Sequence, residues 1–140
     1  MTTERPSIPR PLPVADEASQ PFFDAAAEGK LMLRFCSACQ RWLNYNYDVC
    51  DNCLTANLEW KQASGRGTVY SFIIMHQVVH PGFASLTPYN VATVELEEGP
   101  RVHTNLVDIE NDQIQMDMPV EVTFERLEND VTVPKFKPRV

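Results

Sequence analysis

No stretch of this 140-residue chain approaches the roughly 20 consecutive apolar residues that a membrane-spanning helix needs. Positive charge is also scarce: 12 Lys and Arg stand against 19 Asp and Glu, for a net charge of −7. A surface of that sign repels phosphate backbones and anionic lipid unless a local basic patch overrides it. The first 18 residues lack the apolar centre of a secretory signal, so a cytoplasmic setting is expected, where thiols stay reduced. Histidine occurs only at His76, His80 and His103, with no nucleophile motif beside any of them. These three are read as core or surface side chains, and no catalytic residue is assigned. Helix-forming patterns are few as well.

What is present is a core and four cysteines. Hydrophobic residues make up 44% of the chain, enough for one domain with a small satellite. The cysteines fall as Cys36-x2-Cys39-x10-Cys50-x2-Cys53. In a reducing compartment two such tight pairs read as metal ligands rather than disulfides. Each pair can turn back on itself, and two knuckles together supply four thiolates at tetrahedral geometry. Four protein ligands close the shell and leave no position for substrate or water, so the ion, Zn2+, is expected to be structural. Iron suits the same four sulfurs, and the spacing does not separate the two metals. A redox dithiol is disfavoured because neither pair sits in a βαβ setting. Trp42, Leu43, Tyr45 and Tyr47 would pack the small ribbon between the knuckles.

Pro6, Pro9, Pro11 and Pro13 make residues 1–15 an extended arm. Ser19-Gln20-Pro21 predicts a helix start, Phe22, Phe23, Ala26 and Ala27 an apolar stripe, and Gly29 a stop. Leu31, Leu33 and Phe35 alternate with polar or exposed positions in a strand running into Cys36. A strand at 58–61 follows the cysteines, and Ser64-Gly65-Arg66-Gly67 marks a turn. Further strands are expected over 68–79, 89–96, 101–107 and 120–127, with a final edge segment over 131–136 limited by Pro134 and Pro138. Short strands with glycine-bearing turns predict a mainly β protein. Strands alone do not separate an OB-fold from an SH3-like barrel or a jelly roll.

The order of motifs narrows this. Pro21-Phe22-Phe23-Asp24-Ala25 and Glu28-Gly29-Lys30-Leu31 precede the first knuckle. Ser64-Gly65-Arg66-Gly67-Thr68-Val69-Tyr70-Ser71-Phe72 follows the second. Pro88-Tyr89-Asn90-Val91-Ala92 and Val94-Glu95-Leu96-Glu97-Glu98-Gly99-Pro100-Arg101 come next. From about residue 16 to 127 the chain resembles the DUF35 family. The resemblance implies an N-terminal helix over 16–29, a rubredoxin-like zinc ribbon over 30–63, an OB-fold barrel over 64–127 and a C-terminal tail over 128–140. Met116-Asp117-Met118 departs from the family, where relatives often carry glycine, and the second knuckle lacks the usual proline-rich approach. Neither change touches the four ligands.

The resemblance also implies an acyl-CoA-binding accessory subunit of a thiolase-like ketothiolase, aldolase or acyltransferase complex, in lipid or aromatic-acid metabolism. A CoA thioester would be the ligand, and catalysis would reside in the partner. CoA needs cations for its phosphates and an apolar channel for its arm and acyl group. The candidate contacts are Lys30, Arg34, Arg66 and Arg101, with Phe83 from the loop 80–86. Each of these also reads plainly as a solvated charge or a loop folded on its own barrel. The alternative is a single-stranded nucleic-acid module, which zinc ribbons and OB-folds can both form. Charge argues against it: residues 64–127 hold three basic and nine acidic side chains, the wrong sign for a phosphate-tracking groove.

Overall fold

The structure, a computed structural model, describes residues 11–78 and 80–139. Most of the expected arm, residues 1–10, lies outside the described residues, and 11–16 have no regular structure. Helix α1 spans Gln20–Ala27 with proline in its first turn. A turn locks its entry: Ser19 N–H donates to Asp16 Oδ1 (2.8 Å), and Asp16 N–H donates to Ser19 Oγ (3.0 Å). Gly29, at φ +79, ends it as expected.

Two sheets follow. In the first, β1 (Met32–Cys36) lies between β2 (Arg41–Leu43) and β3 (Glu59–Gln62), all antiparallel. The second contains β4 (Arg66–Met75), β5 (Tyr89–Leu96), β6 (Arg101–Thr104), β7 (Pro119–Arg126) and β8 (Thr132–Pro138), in the order β6-β5-β4-β7-β8. The two ends of that order meet. Leu106 pairs with Phe136 in parallel, and Val107 N–H donates to the Phe136 carbonyl at 2.8 Å. A three-strand meander, a fourth strand beside the first and a fifth closing in parallel on the third make an OB-fold barrel.

The barrel therefore does not stop at residue 127. The expected tail, 128–140, supplies its fifth strand, paired along its whole length with β7. Pro134 and Pro138 obscured it, yet both fit a strand with only one fully laddered edge. The expected strand over 101–107 is correspondingly shorter, because the chain leaves β5 after Thr104 to meet Phe136.

The Ser64-Gly65-Arg66-Gly67 motif has a packing cause. Gly65 takes φ +80 against Val122, and a Cβ on Gly67 would collide with the Glu95 carbonyl across the ladder. Asp117 likewise adopts φ +67, a left-handed position that Asp tolerates where a glycine would sit easily. One core joins the elements: Phe22 of α1, Leu31 and Leu33 of the ribbon, and Val69, Val94, Val120 and Phe136 of the barrel. Ribbon and barrel are thus not independent bodies.

Phe136 is fully buried at the barrel seam. Phe136→Ala should cost about 3–5 kcal/mol, read as a lower midpoint in urea unfolding. A loss below 1 kcal/mol would mean that β8 does not close the barrel.

Candidate metal centre and ligand cleft

Cys36 ends β1, Cys39 closes the turn after it, and Cys50 and Cys53 lie in the loop before β3. Their four sulfurs all lie within 4.8 Å of one another. Cys36 and Cys53 sulfurs are 3.6 Å apart, and those of Cys39 and Cys50 are 4.0 Å apart. Both are far beyond a disulfide bond. A tetrahedron with metal–sulfur bonds near 2.3 Å has edges of about 3.8 Å, so the donor set fits one ion.

The local fold aims these sulfurs. Gln40 and Leu54, each directly after the second cysteine of a pair, take φ +54 and +63. These matched left-handed residues turn the backbone back over the sulfurs, at a cost of about 1–2 kcal/mol each. Asn52 donates from its backbone N–H to Cys50 Sγ (3.4 Å) and from its carboxamide to Cys39 Sγ (3.3 Å). Arg41 grips Asp51 in a two-pronged pair at 2.6 and 2.9 Å, tying the two knuckles together. That guanidinium holds the Asp51 carboxyl below its usual range.

Proton affinities in the cluster are split. The backbone N–H groups of Cys53 and Asn52 bring the Cys50 thiol down to about 7. At Cys53 the Thr55 N–H also lowers the value, but hydrogen bonds with Cys39, Cys36 and Cys50 and burial outweigh it and push the thiol up to about 12. Four thiolates so close need a cation to coexist.

The other candidate contacts are spread across the surface. Lys30 is exposed and pairs with Glu28 at 3.5 Å. Arg34 lies 4.5 Å from the Trp60 ring and donates to the Leu58 carbonyl at 3.4 Å. Arg66 pairs with Glu97 at 3.4 Å. Arg101 sits over the Tyr70 ring at 3.7 Å. Among the described residues no carboxylate lies within ion-pair distance of Arg101. Phe83 belongs to a short 3-10 turn, Pro81–Phe83, and packs on Tyr89 with ring centroids 5.7 Å apart.

Three cavities line the seam between ribbon, helix and barrel. A polar groove of about 970 Å³ lies between the ribbon hairpin and the β5–β6 turn, with Arg41, Asn46, Glu95 and Arg101 on its walls. A smaller inner slot of about 170 Å³ is bounded by Leu31, Leu33, Tyr45, Val102 and Phe136. An outer slot of about 320 Å³ is walled by Phe22, Phe23, Phe83 and Pro134, with Pro11, Leu12 and Pro13 along one side. Arg101 and Phe83 thus reach this seam, in different cavities.

Three seam residues were not singled out as ligand contacts from sequence. Tyr45 stacks on Phe22 at 4.0 Å, fastening the ribbon to the helix and walling both slots. His103 borders all three cavities, with Nδ1 3.0 Å from Thr93 Oγ1. Lys135 borders the outer slot and donates to Asn105 Oδ1 at 2.6 Å. Only the aromatic run 42–47 signalled any of this; His103 and Lys135 reach the seam through pairings far apart in sequence.

Known proteins share this arrangement. The family model for the ChsH2 C-terminal OB-fold domain matches residues 60–125. A probable enoyl-CoA hydratase alpha subunit of Thermomonospora curvata is 36% identical over 139 residues, covering 99% of this chain and 43% of that protein. A DUF35 domain-containing scaffold protein of Methanocaldococcus jannaschii is 33% identical over 84 residues, 59% of each. The chain therefore spans less than two thirds of either relative. Among solved structures, a chain of the Ltp2-ChsH2(DUF35) aldolase superposes with a TM-score of 0.81 at 36% identity, over 92% of this chain and all of that one. With that match in sequence, fold and length, the chain belongs to the DUF35 family.

Proposed function

We propose that this chain is an accessory subunit that holds a CoA thioester for a thiolase-like catalytic partner, and that its four cysteines carry one structural zinc ion. The observation that carries the reading is the cleft at the seam: an apolar pair of slots opening beside a groove that contains Arg101. CoA thioesters are long, anionic at one end and apolar at the other, and a cleft with that polarity gradient suits them. The names of the similar proteins support it, since one is a hydratase subunit acting on a CoA ester and another is a subunit of an aldolase. Arg101 is assigned to the CoA phosphates. Lys30, Arg34 and Arg66 are engaged locally and are assigned no direct contact with the ligand.

A closed tetrahedral thiolate shell suits a structural zinc ion, which is the metal assigned in this proposal, with iron the rival for the same four sulfurs. Reduced thiols fit a cytoplasmic location. Single-stranded nucleic acid fits poorly. Over the barrel with β8 included, residues 64–139, six basic side chains stand against eleven acidic ones, and Arg66 and Arg126 already face Glu97 and Asp130.

Elemental analysis of folded, reduced protein should find one zinc per chain, and Cys50→Ser should abolish it. Ligation needs thiolates, whereas the metal-free cluster binds protons. Zinc stabilisation, on the order of 10 kcal/mol, should therefore be present at neutral pH and fall as pH drops. Metal content that is absent, or that rises in acid, contradicts this assignment.

Calorimetry with a short-chain acyl-CoA should show saturable one-to-one binding. Arg101→Ala should weaken it about tenfold, and co-expression with a thiolase-like subunit should yield a complex. The chain alone should leave the thioester intact. Salt-sensitive binding of single-stranded DNA, with no response to CoA esters, would instead establish the nucleic-acid reading.

A further inference from the structure

The three seam cavities share walls in order. Asn44, Asn46 and His103 border both the groove and the inner slot. Tyr45, His103 and Pro134 border both the inner and the outer slot. Resting on the reading of the ligand as a CoA thioester, we propose that these cavities are one track with a fixed direction. The nucleotide end occupies the groove, the pantetheine arm threads the inner slot past His103, and the acyl group emerges in the outer slot.

Size decides much of this. At about 170 Å³ the inner slot is below the roughly 300–1,000 Å³ of ordinary ligand pockets, so it admits a slim chain and not a nucleotide. The groove, at about 970 Å³, holds the bulky end. The outer slot, at about 320 Å³, takes one compact acyl group between Phe22, Phe83 and Pro134.

Polarity gives the same direction. The groove is the most polar of the three cavities, with Arg41 and Arg101 but also Asp51, Glu95 and Glu98 among its lining residues, whereas the two slots are lined mainly by apolar side chains. Arg41 is held by Asp51, so Arg101 is the groove arginine that, among the described residues, has no carboxylate at ion-pair distance. The cation of the outer slot, Lys135, already serves Asn105 and Glu125.

His103 is the polar contact at the narrow point. Thr93 holds Nδ1 and, as a hydroxyl, serves either ring tautomer. Nε2 is then available to one amide or carbonyl of the arm. His103 thus positions the arm; it is given no part in bond making.

The test uses full-length, zinc-loaded protein with adenosine 3′,5′-bisphosphate and hexanoyl-CoA as probes, followed by amide NMR shifts and calorimetry. The bisphosphate should shift Tyr47, Asn52 and Arg101, and the hexanoyl ester should add shifts at Phe23, Phe83 and Val133. His103→Ala should raise the Kd for hexanoyl-CoA about tenfold while leaving that for the bisphosphate within about twofold, and His103→Gln should recover most of the loss. A bisphosphate that shifts the Phe83 side, or a His103→Ala effect equal on both probes, overturns the track. Hexanoyl-CoA binding mapped outside the seam removes the track and leaves the ligand reading standing. No binding of the ester to metal-loaded protein removes both.

Discussion

Four sulfurs gathered within 4.8 Å are the constraint on which the rest is arranged. Thiolates at that spacing repel one another, and a single cation bound between them would turn that repulsion into attraction. The backbone is bent to meet that demand: Gln40 and Leu54 hold left-handed conformations that neither side chain favours. Cys36 is also the last residue of β1, whose Leu33, three positions earlier, is fully buried in the barrel core. A strand rises about 3.3 Å per residue, so metal and core lie roughly 10 Å apart on one rigid element. An ion held there would fix more than a loop; it would anchor one end of the strand that joins the ribbon to the barrel.

The cleft follows from that joint. The ribbon hairpin projects Tyr45 onto Phe22 of α1, while Asn44 donates to the Arg101 carbonyl at the start of β6. These two contacts, made by adjacent residues, tie the segment after β2 to the helix on one side and to the barrel on the other. The space left between them is lined by whatever each element shows on that side: rings from the helix, carboxamides from the hairpin and aliphatic side chains from the barrel. A binding site at a junction of elements needs no loop of its own, which explains why no contiguous motif encodes it.

That is also why the chain was readable in some places and opaque in others. The convergence of the four cysteines was legible because paired cysteines at two-residue spacing have few other uses where thiols are free. β5 was legible at both ends, because Tyr89–Leu96 alternates buried and half-buried positions without a break. β8 was not, because its prolines mimic a tail and its partner is set by barrel closure rather than by local pattern. The fate of the cations was equally hidden. Arg66 finds Glu97 at the open end of the β4–β5 ladder, and Arg101 finds Tyr70, two strands away, beside the point where the β4–β5 register slips between Val69 and Ser71. A one-residue slip moves a side chain to the other face of a sheet, and nothing in the local sequence marks it.

On the proposal that this acidic chain holds an anionic ligand, its affinity needs a reason, and the way its cations are paired bears on it. Arg41, Arg66, Arg126 and Lys137 each face a carboxylate, so they add little to the field seen by a ligand. Arg34, Lys61 and Arg101 instead lie over aromatic rings. A ring face holds a cation in place without cancelling its charge, so these three keep their attraction for a phosphate. With a net charge of −7 around them, long-range steering still works against an anion. Affinity then has to come at short range, from one positioned guanidinium and from apolar surface buried in the slots. On that proposal the chain would select for the shape and apolar character of its ligand more than for its charge, which would suit a component that presents one kind of acyl group to a separate catalyst.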